Sequence, residues 1–143
     1  MTETEKLIER LEAATGPDRE LDGLMYGWES GLSPNGGSFM LGGGFQFRHP
    51  TKVHPSGPAA LYVPGDSVPA YTASLDAALA LVERVRPGWW WCSRSDDTEG
   101  AYANLGPART NPNAGGPCWR AYAPTAPIAL CLALLRTLET SHD

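Results

Sequence analysis

Cysteine is scarce in this chain and poorly placed for pairing. Cys92, Cys118 and Cys131 are widely spaced, so the sequence offers neither a disulfide framework nor a Cys-x-x-Cys metal or redox motif. Long apolar runs are also missing. The longest, Ile128 to Leu135, falls far short of the ~20 residues that cross a bilayer, so no membrane span and no membrane partner are expected. No basic-then-apolar signal opens the chain, and a reduced, cytoplasmic setting is the expectation. The triple glycine Gly42-Gly43-Gly44 is not followed by Gly-Lys-Ser/Thr, no dinucleotide fingerprint is present, and no Gly-x-Ser-x-Gly elbow exists. These absences exclude a nucleotide hydrolase of the phosphate-loop kind, and no cofactor is expected.

What the chain does contain is 143 residues, 42% of them hydrophobic, enough for one domain that needs no metal or disulfide staple. With 16 Gly and 13 Pro, long loops are expected. The net charge of -5 is unevenly spread. Residues 1–29 hold eight acids and three bases, so the remainder is neutral, and two stretches, 30–65 and 100–138, contain no acid at all. Nothing resembles a basic stripe, which argues against duplex nucleic acid, but a local anion site is compatible with these stretches.

Thr2-x-x-Glu5 has the form of a capping box before Leu7, Ile8 and Leu11, predicting a helix over 4–14. A second short helix is expected over about 17–26. From Gly27 to Pro69 the Gly and Pro punctuation predicts irregular chain with short strands at best: a hairpin of Phe39-Met40-Leu41 with Phe45–Arg48, and Leu61-Tyr62-Val63. Ser74 caps an amphipathic helix that Pro87-Gly88 stops. Strands are expected at Trp89–Arg94, Ala101–Leu105 and Cys118–Tyr122. Thr125 is placed to cap a final helix, apolar on nearly all sides and therefore the most buried element. The expected fold class is α/β in the broad sense, α+β in detail: a three-layer helix/sheet/helix sandwich around a small, mostly antiparallel sheet. Residues 1–143 are expected to form a single domain with a loop-rich insertion at 27–66.

Four segments, Leu7–Asp22, Pro69–Val82, Trp89-Trp90-Trp91 and Thr125–Arg136, resemble in order the phage ABA sandwich domain family. The resemblance covers about half the chain and implies helices layered on both sides of a sheet, a phage or prophage origin and hence the host cytoplasm. It implies no catalytic residues.

Alternation along a strand puts Trp89 and Trp91 on one face and Trp90 on the other. The first two are expected in the core. Trp90, with Trp119 or Tyr102, is the candidate flat surface for a base or a protein partner. Arg48, Lys52, Arg109 and Arg120 are the candidate phosphate ligands, because glycine-rich loops expose backbone N–H groups beside them. Tyr71 leads into a helix whose N-terminus could face an anion. His49, His54, Cys92 and Cys118 lack metal-ligand spacing, so no metal is expected, and Asp96, Asp97 and Glu99 read as a solvated turn. The resulting expectation is a homo-oligomeric accessory protein that binds, and in doing so sequesters, a nucleotide-like small molecule such as a host immune signal without catalysis. A protein–protein adaptor or inhibitor acting on a host or virion protein through Trp90 and the 27–66 loop is the alternative. A small hydrolase using His49 or His54 is the third reading.

Overall fold

The computed structural model of the chain describes residues 2–35, 39–55, 57–96, 100–107 and 117–140. It is a mixed α+β fold in two compact units, one made of Met1–Asp18 with Ala70–Asp143 and the other of Arg19–Pro69. The insertion expected at 27–66 falls within the second unit. Each unit has its own antiparallel three-stranded sheet.

In the first unit, α1 (Glu3–Ala13), α3 (Leu75–Val85) and α4 (Ala126–Thr140) accompany a sheet of β4 (Trp90–Asp96), β5 (Gly100–Gly106) and β6 (Trp119–Ala123) in the order β4-β5-β6. Helix α1 starts at the expected capping box, with Thr2 Oγ1 accepting from Glu5 N–H at 3.1 Å. Ser74 caps α3, accepting from Ala77 N–H at 3.2 Å. Helix α4 lies over β5 and β6, and α1 and α3 pack against α4. Ile128 to Leu135 are therefore almost completely buried, as a helix apolar all round requires. The helix approaches the sheet over small side chains, the buried Ala101, Ala103 and Ala121, beside Leu105. In place of helices on both faces of one sheet, the described helices of this unit form layers on one side of β4–β5–β6. The strands explain it: only one of their faces is lined by small apolar residues.

Polar clasps complete this unit. The Thr72 hydroxyl, wholly buried, accepts from Asp18 N–H at 2.9 Å and donates to Asp18 O at 3.2 Å. Arg86 donates from Nε to Thr137 Oγ1 and from Nη2 to Thr137 O, both at 3.2 Å, close to the end of α4, where cations are favoured. Thr125 does not cap α4 through its side chain. Its carbonyl accepts from Ala129 N–H at 3.0 Å, but its hydroxyl is buried without a partner among the described residues. The second helical residue, Pro127, has no N–H to offer it, and no bond to the N–H of the third, Ile128, is formed.

The second unit holds α2 (Arg19–Ser30), β1 (Met40–Leu41), β2 (Gly44–His54), β3 (Gly57–Pro64) and a 3-10 turn at Gly65–Ser67. The expected hairpin at the triple glycine is present: Gly42 and Gly43, at φ 60° and 80°, make the two-residue turn that joins β1 to β2. The expectation of irregular chain with short strands is overturned, since β2 and β3 run for 11 and 8 residues. The prolines are accommodated by a break in register between Arg48 and Val53 and by the edge position of β3. His49 Nδ1 braces that break, accepting from Thr51 N–H at 3.2 Å and Lys52 N–H at 3.0 Å.

Phe45 and Phe47 alternate inward with Val63 and Val68 as the core. Helix α2 meets them through Gly23 and Gly27, where an added Cβ would collide with the Phe45 and Phe47 rings respectively. Four helical residues and two strand residues span nearly the same length, ~6 and ~6.8 Å, so each glycine sits on one ring. Arg19 closes the unit. Its guanidinium donates to Gly65 O (2.6 Å), Val68 O (3.0 Å) and Pro69 O (3.4 Å), pairs with buried Asp22 (3.1 Å) and lies 5.6 Å from the Phe45 ring centre.

This packing fixes the outcome of two substitutions. Gly23→Ala lowers unfolding stability in urea by about 1–3 kcal/mol through overpacking on Phe45, whereas Gly16→Ala, with nothing within 4 Å of its new methyl, stays close to wild type. Thr125→Val raises the urea midpoint, with a gain of about 1 kcal/mol, by replacing an unpartnered hydroxyl with a methyl of the same shape. A fall in stability would show that the hydroxyl is satisfied.

Candidate functional site

Directly paired residues of an antiparallel sheet point to the same face, so the register β4–β5–β6 defines what lies opposite α4. Three rows of side chains emerge there. The first is Trp90 beside Gly106, the second Cys92–Asn104–Arg120, and the third Arg94–Tyr102–Tyr122. Cys92, Arg94, Arg120 and Tyr122 are exposed, Tyr122 at 64%. The half-buried Trp90 lies with its indole across Gly106, where even a Cβ would strike the ring.

Arg120 organises the face. Its Nε donates to Asn104 Oδ1 at 2.8 Å, its Nη1 donates to Tyr122 Oη at 3.3 Å, and its Cζ sits 5.1 Å from the Tyr102 ring centre. Tyr102 and Tyr122 are themselves 5.9 Å apart and tilted by 50°. The hydrogen bond to Tyr122 holds the guanidinium pKa above its ordinary value. Asn104, its oxygen taken by Arg120, donates from Nδ2 to Cys92 Sγ at 3.4 Å. The row thus has one orientation, since the amide can serve both neighbours only this way round. These contacts hold a planar cation among aromatic rings on an open surface, an arrangement that can accept an anionic oxygen beside a flat ring system.

Of the residues expected to bind ligand, Trp90 and Arg120 share this face. Trp119 does not: it pairs with Leu105 on the α4 side and stacks on Trp89 at 5.4 Å. Trp91 is on that side too, yet 42% exposed, because α4 lies over β5 and β6 and β4 is an edge. Tyr71 is wholly interior and its carbonyl accepts from Cys131 Sγ at 3.7 Å, so it cannot meet a ligand at the surface. Arg48 and Lys52 are exposed residues of β2 in the other unit, not of a glycine loop. Their own backbone N–H groups are committed to Ser33 O (2.8 Å) and His49 Nδ1. Arg109 lies outside the described residues, as do Asp97 and Glu99. Among the described residues, no group of three His, Cys, Asp or Glu is placed to hold a metal, and no helix is long and apolar enough to cross a membrane.

Tyr122, Asn104, Cys92 and Arg94 join the face without a sequence signal that singles them out as site residues. Alternation from Trp90 places Cys92 and Arg94 beside it on β4, but cross-strand pairing alone adds the residues of β5 and β6.

Comparison of the chain with family models, curated proteins and solved structures finds no match.

The geometry makes the thiols distinguishable. Cys92 and Cys118 are exposed and Cys131 is buried, so native protein reacts with an aromatic disulfide reagent at two thiols, and the third reacts only on unfolding. Mass mapping of the labelled peptides checks this, and prompt labelling of Cys131 would contradict the packing of α4.

Proposed function

We propose that the chain is a binding protein that takes a nucleotide-type, phosphate-bearing ligand on the open face of β4–β5–β6. The observation that carries this reading is Arg120, held by Asn104 and Tyr122 beside the rings of Tyr102 and Tyr122. Among the described residues, two of the five guanidinium N–H groups are used in holding it, and the others suit phosphate oxygens. An aromatic ring nearby supplies stacking that every base can use. The three rows contain two guanidinium groups, Arg94 and Arg120, and no carboxylate. The phage or prophage setting is carried by the four resembling sequence segments. In that setting a binder without turnover would sequester its ligand.

Calorimetric titration with adenosine monophosphate tests the reading. Wild-type protein gives a saturable heat, and Arg120→Ala weakens binding by roughly tenfold or more through loss of charge-assisted hydrogen bonds. Arg48→Ala and Lys52→Ala leave it unchanged. Absence of binding by wild type, or an unaltered titration in Arg120→Ala, rejects the reading. The adaptor alternative is favoured by the exposed Met40, Leu41 and Val53 of the second unit, at 47%, 50% and 76%. It predicts indifference to nucleotides and loss of a captured protein partner on Leu41→Asp.

A further inference from the structure

We infer that the open face accommodates two nucleobases joined by a phosphodiester, with one base on Trp90, the other on Tyr122 and the bridging phosphate at Arg120. This inference rests on the nucleotide reading above and makes it specific.

The rows set the spacing. Successive same-face residues of a strand lie ~6.7 Å apart, so the Trp90 row and the Tyr122 row are separated by ~13 Å along the strands. One base cannot rest on both. Between them runs the Cys92–Asn104–Arg120 row, whose charged member is a guanidinium. Base, phosphate and base thus find Trp90, the Arg120 guanidinium, which reaches from the middle row toward the third, and Tyr122 in order. Tyr102 is the less available ring of the third row, because Arg120 covers it at 5.1 Å, whereas Tyr122 is 64% exposed. Trp90 is the counterpart at the other end, its indole laid on the sheet backbone at Gly106.

The face is also limited in length. Trp90–Gly106 is the last paired position of β4 with β5 at one end. At the other, Asp96–Gly100 is the last paired position. Between these ends the face presents the three rows named above. That length matches a two-base unit, which can be a free dinucleotide or one step of a single strand.

Titrations of the full chain with adenosine monophosphate, the dinucleotide adenylyl-adenosine and a single-stranded oligoadenylate separate these cases. The dinucleotide is expected to bind roughly five- to a hundredfold more tightly than the monophosphate, the contribution of a second stacked base. Tyr122→Ala brings the ratio of dinucleotide to monophosphate affinity to about one, a comparison within one variant that cancels the lost hold of the Tyr122 hydroxyl on Arg120, and Tyr122→Phe, which keeps the ring but not that hydroxyl, restores most of the ratio. Tyr122 is exposed, so neither variant disturbs the core. A circular dichroism melt matching wild type confirms this. Gly106→Ala, which evicts the Trp90 indole without removing it, has the same effect from the other end. An oligoadenylate that binds more tightly than the count of its overlapping two-base steps explains assigns the source to a strand; agreement with that count assigns it to a free dinucleotide. Equal affinity for monophosphate and dinucleotide overturns the two-base inference and leaves the nucleotide reading standing. No binding of any of the three overturns both.

Discussion

The burial of α4 is the constraint from which the arrangement of the first unit follows. A helix with leucine, isoleucine, alanine and cysteine around its whole circumference must be enclosed, and three elements enclose it, the sheet on one side and α1 and α3 on others. Every apolar stripe is consumed in the process. Leu7, Ile8 and Leu11 of α1 and Ala78, Leu81 and Val82 of α3 are buried. No described helix of this unit is left to cover the second face of β4–β5–β6, and that face carries arginine, asparagine, tyrosine and an indole. The division of labour is written in the strands themselves. Ala101, Ala103 and Ala121 alternate with Tyr102, Asn104, Arg120 and Tyr122, small residues toward the helix and functional groups away from it.

An open sheet face is a poor place to position a cation unless something fixes it, because exposed arginine loses much side-chain entropy on being ordered. Here cross-strand neighbours do the fixing. Asn104, only 7% exposed, takes the guanidinium Nε, and Tyr122, two residues along β6, takes Nη1. Neither bond requires a distant part of the chain. The backbone of Arg120 is tied in as well, its carbonyl accepting from Arg136 Nη1 at 3.3 Å while Arg136 also pairs with Glu12. Such preorganisation favours a ligand by reducing what must be ordered on binding.

How much of this is legible in the sequence depends on the kind of signal each element carries. The helices announce themselves because capping and periodicity are local: Thr2-x-x-Glu5, Ser74 and the apolar run of α4 each refer to neighbours within four residues. The strands β4, β5 and β6 are legible as strands for the same reason. Their faces are not. Trp119 and Arg120 differ by one position, and which of them shares a face with Trp90 depends on a register that spans residues 106–117. The long β2–β3 pairing is obscured by Pro50, Pro55, Pro58 and Pro64, which normally argue against a strand. An edge position and a break in register remove the objection, and both are properties of the sheet, not of the segment. Tyr71 misleads for the opposite reason: an aromatic residue before a helix N-terminus is equally at home in a ligand site or in the core, and only packing decides.

The insertion of residues 19–69 into a chain whose other unit is built from 2–18 and 70–140 requires that each part be closed on its own. In the first unit the junction is held by one hydroxyl, since Thr72 bonds both the N–H and the carbonyl of Asp18. The point where the chain leaves and the point where it returns are thereby fixed beside each other. In the second unit Arg19 plays the equivalent part, its guanidinium reaching the carbonyls of Gly65, Val68 and Pro69 from the opposite terminus of the segment. Two adjacent residues, Asp18 and Arg19, thus close two separate structures. Domain insertion is tolerated where chain ends lie close together. Each closure thus uses groups belonging to its own unit.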